Sequence, residues 1–322
     1  MKENRILYDW FSCTSKVYNV EEFISRLGMV NCDWRTARGA HGYKDKFTFG
    51  GCSVHYNGSE NMGTWLEMSG EGCRSYESYG NDLWDLLFLG ILQDDSNAHF
   101  TRLDVAFDDF TGILDINEII RDTFDGNFIS KSSYHRITVS SDGNSCQFGK
   151  SDVVIRIYDK AAEQKLTDGT HWVRVEIQLR DDRAKAWIKN MVPFGGLFKS
   201  VLYNYLRFVE PNPLDLEHKS RWNMKSYWAE LLGNAERITL YSRPSVDYDL
   251  NKLNDSVFHQ YGNMIDCALS IYGEDLFLEF MRNRPKQFKA KYENLKRQYS
   301  DHSFRDSVRL VINNSFGGIY CD

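Results

Sequence analysis

Three short segments of this chain alternate, residue by residue, between apolar and polar side chains. In 101–109 (TRLDVAFDD), Leu103, Val105 and Phe107 fall on one side and Arg102, Asp104, Ala106 and Asp108 on the other. In 153–160 (VVIRIYDK), Val153, Ile155 and Ile157 oppose Val154, Arg156, Tyr158 and Lys160. In 172–180 (WVRVEIQLR), Val173, Val175, Ile177 and Leu179 oppose Arg174, Glu176, Gln178 and Arg180. Successive side chains point to opposite faces of a strand, so a period of two specifies sheet strands with one apolar face. A helix built from the same residues would scatter its apolar groups around the whole circumference.

The flanking sequence extends this pattern. Segments 5–14, 47–56 and 64–68 are short, rich in β-formers and separated by glycines, which suits hairpins. The stretch 68–77 (MSGEGCRSYE) reads as a turn, with Gly70 and Gly72 supplying positive φ. Residues 78–93 carry a helical spacing, with Leu83, Leu86, Leu87 and Ile91 on one face. Asp115 is placed to cap a helix over 115–124. Beyond about residue 185 the pattern is helical, over 183–191, 199–208, 222–232 and again 256–298, broken near Gly273 and Pro285. The expected class is α+β: a largely antiparallel sheet with the charged side chains on one face, helices on the other and a helical C-terminal part. A boundary in the loop 242–250 divides the chain into 1–245 and 246–322.

Composition excludes several classes. Aromatic residues make up 14% and there are 5 prolines, so a disordered chain is not expected. No window reaches the roughly 18 unbroken apolar residues of a membrane span, and the N-terminus lacks a signal peptide's apolar stretch. A cytoplasmic protein without a membrane partner is expected. The 7 cysteines are scattered, with no C-x-x-C pair, which argues against a zinc ribbon or a disulfide framework. The net charge of -6 counts mildly against nucleic acid, so any DNA path must be local. The best candidate is 281–300, which holds Arg282, Arg284, Lys286 and Lys289 among 7 basic residues against one acid, Glu293.

The charged faces of the three strands bring together carboxylates, arginines and a tyrosine. Carboxylates hold a hard divalent cation such as Mg²⁺ or Mn²⁺. A tyrosine hydroxyl can attack phosphorus, and arginine and lysine neutralise the charge that builds there. Against this stands a plainer reading, a solvated sheet face in which pairs such as Arg174 with Asp104 account for the charges. His171 and the tryptophans Trp172, Trp187, Trp222 and Trp228 are candidates for orienting a ligand or stacking bases, and burial in the core is the competing reading.

FGKSDVVIRIYDKAAEQ (148–164) followed by WVRVEIQLRDDRA (172–184) resembles the Rep_trans family. That family contains rolling-circle replication initiators of small Gram-positive plasmids and related initiation factors and relaxases of integrative conjugative elements and phages. TRLDVAFDD (101–109), MSGEGCRSYE (68–77) and YDWFSCTSK (8–16) resemble further blocks of it, in the family's order. The resemblance implies an enzyme that nicks and rejoins one DNA strand at an origin through a 5′-phosphotyrosyl intermediate. It places the nucleophile on Tyr158, between Arg156 and Lys160. It makes Asp104 and Glu176 the metal ligands, with Asp108 a third, Asp109 a weaker fourth and Glu163 a supporting residue. Arg74, Arg102 and Arg174 become DNA contacts beside Arg282, Arg284, Lys286 and Lys289. The implied partners are origin DNA, a host helicase and, in the plasmid branch, a second copy of the chain. The absence of an H-x-H pair among the 8 histidines fits this family, and the chain has no phosphate-binding G-x-x-x-x-G-K-[ST] loop. A non-catalytic DNA-binding protein on the same fold and a metal-dependent nuclease using water are the alternatives.

Overall fold

The computed structural model describes residues 2–190, 194–235, 257 and 261–284. The chain divides into two compact units, Met1–Ser242 and Arg243–Asp322.

In the first unit the chain opens with β1 (Arg5–Ser15), then α1 (Val20–Leu27), β2 (Arg35–Arg38), β3 (Asp45–Phe49), β4 (Cys52–Tyr56) and β5 (Thr64–Met68). Next come α2 (Gly70–Tyr79), α3 (Trp84–Asp94), β6 (His99–Asp109) and α4 (Ile116–Phe124). The remaining elements are β7 (Phe128–Ser130), β8 (His135–Thr138), β9 (Ser145–Phe148), β10 (Val153–Asp159), α5 (Lys160–Glu163), β11 (Val173–Arg180), α6 (Asp182–Lys189), α7 (Phe194–Tyr205), β12 (Leu206–Phe208) and α8 (Ser226–Leu232). A 10-stranded sheet runs β2-β3-β4-β5-β1-β6-β11-β10-β9-β8, and β12 pairs with β7 apart from it. Its pairings are antiparallel throughout. The α+β class is thus as the alternation predicts, and the three alternating segments are neighbours at the middle of the sheet.

The apolar side of each strand forms the core. Leu103, Val105, Ile157, Val175, Ile177 and Leu179 are buried there with Phe11, Leu66 and Val54, and α6 packs against β6 and β11. Asp115 caps α4, accepting the Asn117 N–H at 2.8 Å.

Three local expectations are corrected. The stretch 68–77 is mostly helix: Ser69 caps α2 through the Gly72 N–H, and neither Gly70 nor Gly72 has positive φ. Gly72 is required for a different reason, because a Cβ there would lie 2.5 Å from the Gly51 carbonyl oxygen. In α3 the buried face is Leu87, Phe88 and Ile91, while Leu83 and Leu86 point outward. The helical stretch 199–208 ends at Tyr205, after which the chain extends to pair with β7.

In the second unit, α9 (Gly262–Asn283) breaks at Gly273, whose φ of 72° an L-residue rarely adopts. Pro285, the loop 242–250, Lys286 and Lys289 lie outside the described residues. Among the described residues no helix is long and apolar enough to cross a membrane.

The aromatic centre of the core generates a stability test. Phe11 is fully buried, 4.8 Å from Phe88 and 6.1 Å from Phe100 between ring centroids. Phe11→Ala is expected to lower unfolding stability by about 3–5 kcal/mol in urea titration. Leu86→Ala, on the outward face of α3, should change it by less than about 0.5 kcal/mol.

Candidate active site

Register brings the charged faces together. Asp108, Arg174 and Tyr158 lie in one cross-strand row over β6, β11 and β10; Ala106, Glu176 and Arg156 form the next. Asp104, Gln178 and Val154 form the third. This face is not a solvated one: Asp104 is 2% exposed, Asp108 0%, Arg174 3% and Glu176 5%. Charges held this far from water must be paired.

The pairing is specific and differs from the Arg174–Asp104 bridge that alternation suggests. Arg174 donates from Nε to Asp108 Oδ1 at 2.6 Å and from Nη2 to Oδ2 at 3.0 Å. Its Nη1 lies 2.6 Å from Asp9 Oδ2. Arg5 Nε donates to Asp108 Oδ2 at 3.0 Å. Asp104 instead takes Arg102, which engages both its oxygens, Nε donating to Oδ1 at 2.9 Å and to Oδ2 at 3.1 Å, and the Arg102 guanidinium lies over the Trp10 ring at 4.2 Å. Arg156 donates to Glu176 Oε1 at 2.9 Å and to Gln178 Oε1 at 3.3 Å.

Tyr158 Oη donates to Glu176 Oε2 at 3.3 Å. Lys160 begins α5, pairs with Glu163 and places Nζ 5.6 Å from the Tyr158 ring centroid. Tyr158, Arg156, Lys160, Asp104, Glu176, Arg174, Arg102 and Arg74 all line one cleft of about 780 Å³.

Burial separates the four carboxyls into two kinds. It pushes Glu176 up to about 7, helped by the negative charge of Asp104, and it raises Asp104 against the pull of Arg102. Burial acts the same way on Asp108, but the bonds and charge of Arg174 together with Arg5 outweigh it and hold that carboxyl low. Asp109 is also held low, because the Leu114 and Thr111 N–H groups and His171 outweigh its burial. Burial raises the Tyr158 phenol, and so does Glu176, while the Arg174 charge pulls it down.

The sequence-derived residues therefore do not all converge. Asp104 and Glu176 sit diagonally across β6 and β11 and share the cleft. Asp108 has both oxygens engaged by arginines. Asp109 closes the loop after β6 by accepting the Thr111, Gly112 and Leu114 N–H groups, and His171 lies against it at 3.2 Å. Arg74 donates to the Tyr8 carbonyl at 2.6 Å and to Glu77 at 2.8 Å, at the cleft wall. Arg282 and Arg284 are exposed at the end of α9 in the other unit. Trp187, Trp222 and Trp228 are buried, whereas Trp172 borders the cleft.

Sequence reasoning missed Asp9. A bulge between Tyr8 and Trp10 makes Asp9 the extra residue of β1 opposite Asp104, so strict alternation mispredicts where it points. Its carboxylate reaches Arg174 because α2 begins with Gly70, where a Cβ would lie 3.0 Å from Asp9 Oδ1.

Among the described residues no group of three or more His, Cys, Asp or Glu side chains forms a metal cluster. Asp104 and Glu176 are the ligand type a hard divalent cation takes, and Arg102 holds both oxygens of the first while Arg156 and Tyr158 hold those of the second. Mg²⁺ in particular is usually held by one or two carboxylates, water and the substrate's phosphate.

A model of the replication initiation factor family (Rep_trans) matches residues 98–283, and one of the rolling-circle replication initiation protein N-terminal domain matches 5–85. NicK of Bacillus subtilis (strain 168), provisionally named a DNA relaxase, is 28% identical over 267 residues, 75% of this chain and 74% of that one. The solved structure of a rolling-circle replication initiator protein from Geobacillus stearothermophilus is 28% identical, with a TM-score of 0.65, covering 74% of this chain and 100% of its own.

The raised Glu176 predicts a pH dependence of folding. The unfolded carboxyl ionises near 4.5 and the folded one near 7, so between these values the folded form keeps a proton that the unfolded form has lost. Wild-type stability should therefore fall as pH rises from about 5 to 7.5. Glu176→Gln should remove a fall on the order of 1–3 kcal/mol, read from urea midpoints across that range.

Proposed function

The chain belongs to the replication initiation factor family, and on that footing we propose that it nicks and rejoins one strand of DNA with Tyr158 as nucleophile. The observation that carries this reading is the Tyr158–Glu176 hydrogen bond inside a cleft flanked by Arg156, Arg174 and Lys160. Tyr158 Oη attacks a phosphodiester phosphorus. Its proton passes to Glu176 Oε2, whose pKa of about 7 suits both taking and returning it. The bond from phosphorus to the 3′-oxygen breaks as the bond to Tyr158 forms. That oxygen gains a proton and leaves as a 3′-hydroxyl, while the 5′-phosphate stays on the tyrosine. Reversal with an incoming 3′-hydroxyl rejoins a strand without ATP, because the phosphotyrosyl link preserves the phosphodiester energy.

Arg174 on β11 is the direct cross-strand neighbour of Tyr158 on β10, held by Asp108 and Asp9, and stabilises the phenolate as it forms. Arg156 and Lys160 flank Tyr158 and neutralise the phosphate. Asp104 and Glu176 would hold a divalent cation, Mg²⁺ or Mn²⁺, which when bound supplies Lewis-acid polarisation of a phosphate oxygen. Arg102 and Arg74 contact phosphates at the rim. Asp108 belongs to the arginine support and not to the cation pair.

Single-stranded origin oligonucleotides with Mn²⁺, resolved on a denaturing gel, test the assignment. Wild type should give a protease-sensitive protein–DNA band that maps to Tyr158 by mass spectrometry. Tyr158→Phe should lose the band with DNA affinity within about twofold, since only a hydroxyl is removed. Cleavage without a band would indicate a nuclease that uses water, and binding with neither would indicate a DNA-binding protein on this fold. Asp104→Ala should lose at least about 100-fold in cleavage rate, the scale of removing one electrostatic stabiliser. Full cleavage in EDTA would refute the cation.

A further inference from the structure

We infer that the face of the N-terminal half of the sheet around the partly exposed Trp65 and Lys46 and the exposed His41 and Arg35 is a second contact site for single-stranded DNA, taking the strand where it leaves the cleft. This rests on the reading of DNA as the ligand and adds a place for it that the catalytic residues do not define.

Register makes this face continuous with the cleft. From Arg102 on β6 one row of partners runs through Ser12, Glu67, Ser53 and Thr48 to Arg35. The next row runs from Thr14 through Trp65, His55 and Lys46 to Ala37. The opposite face of the same strands is the fully buried core of Phe11, Leu66 and Val54. Electrostatics agree: burial raises the Glu67 carboxyl, while Lys46 and His41 from one side and Arg102 from the other pull it down. Glu67 therefore lies between the patch and the cleft rim.

The patch has the two components that sequence-independent single-strand binding uses, stacking surfaces and phosphate contacts. His55 and Trp65 stack at 4.3 Å with planes 24° apart, and His41 and Tyr43 lie 5.4 Å and 5.9 Å from the Trp65 ring. Residues 33–48 contain Arg35, Arg38, Lys44 and Lys46 against two acids, Asp45 and Asp33, the latter in an exposed pair with Arg35 at 3.0 Å, in a chain whose net charge is -6. All of β2 is exposed, and Arg38 and Lys44 border the same surface hollow as His41. His55 is 1% exposed, and neither its ring nitrogens nor Trp65 Nε1 has a hydrogen-bond partner among the described residues. Groups of this kind are normally satisfied by a protein partner or an ordered water.

The spacing sets the length of the flank. Tyr158 on β10 and Trp65 on β5 are four strands apart, about 19 Å across the sheet at 4.8 Å per strand. Their rows, which pass through Arg5 with Asp108 and Thr14 with His99, are nine residues apart along β1 and β6, about 30 Å at 3.3 Å per residue. A stacked strand rises roughly 3.4 Å per nucleotide, so about ten nucleotides bridge the resulting separation of about 35 Å.

Fluorescence anisotropy with labelled dT18, on the full chain from 50 to 200 mM salt, tests the inference. Arg35→Ala/Lys46→Ala should weaken binding by about fivefold or more and flatten the log–log salt slope by about 0.7 per lost phosphate contact. Trp65→Leu should weaken it by about tenfold, and Trp65→Phe should restore much of that loss. Because Trp65→Leu can disturb folding, the charge variant at solvent-accessible positions decides on its own. A dT18 carrying one 5-iododeoxyuridine, irradiated and mapped by mass spectrometry, should cross-link to Trp65 or His41. Wild-type affinity and slope in the charge variant, with cross-links confined to the neighbourhood of Tyr158, would overturn the second site and leave the catalytic reading intact. Tighter binding of a duplex, lost by the same factor in the variant, would overturn the single-strand assignment. No binding of dT18 by any form would refute the DNA reading and the inference together.

Discussion

The cleft depends on one buried guanidinium. Arg174 sits at the centre of the sheet, 3% exposed, between Asp108 on β6 and Asp9 in the bulge of β1. A charge in that position is tolerated because its donors meet two carboxylates at hydrogen-bond distance, and removing one partner of such a pair typically costs about 3–5 kcal/mol. The arrangement ties three strands together through side chains as well as through the backbone ladder. It also sets the register: a slip of one residue between β6 and β11 would turn Asp108 and Asp104 into the core and Val105 outward. The tyrosine opposite Arg174 inherits its position from that register.

Environment, and not residue type, then assigns roles to acids that look alike in sequence. Asp108 and Asp109 are adjacent in the chain and both fully buried, yet both are held low, one by arginines and the other by backbone N–H groups. Such carboxylates are structural anions that stay charged. Asp104 and Glu176 are pushed the other way by burial, and the charge of Asp104 raises Glu176 further, which is the environment the proposed proton transfer needs. Family membership and this division of labour support the same reading. Asp108 and Asp109 support the sheet through arginine and backbone, and Glu176, which bonds the tyrosine, is the carboxyl raised to about 7.

The sheet also explains why a chain with a net negative charge can be proposed to handle DNA. Arg102, Arg156 and Arg174 line the cleft, where carboxylates pair with them and hold them in place, and Arg35, Arg38, Lys44 and Lys46 lie toward the β2 edge. The antiparallel order places hairpins from the N-terminal quarter of the chain beside strands from residues 99–180. The surface patch is therefore assembled from segments that composition averages away.

Much of this was legible in residue order. The period of two in 101–109, 153–160 and 172–180 specified strands, marked their buried sides and put Tyr158, Asp104 and Glu176 on a common polar face, because alternation is a local consequence of backbone geometry. The sequence could not assign the pairing of charges. Arg174 chose Asp108 and Asp9 over Asp104 through cross-strand register and a bulge, both properties of neighbouring strands. Nor could it distinguish a solvated face from a buried one, since the pattern is identical and the difference lies in the helix α2 and the hairpins that wall the cleft. Local sequence determined which atoms are available and which way the strands turn them. Tertiary structure decided which become support and which remain reactive, because desolvation and ion pairing depend on residues distant in the chain.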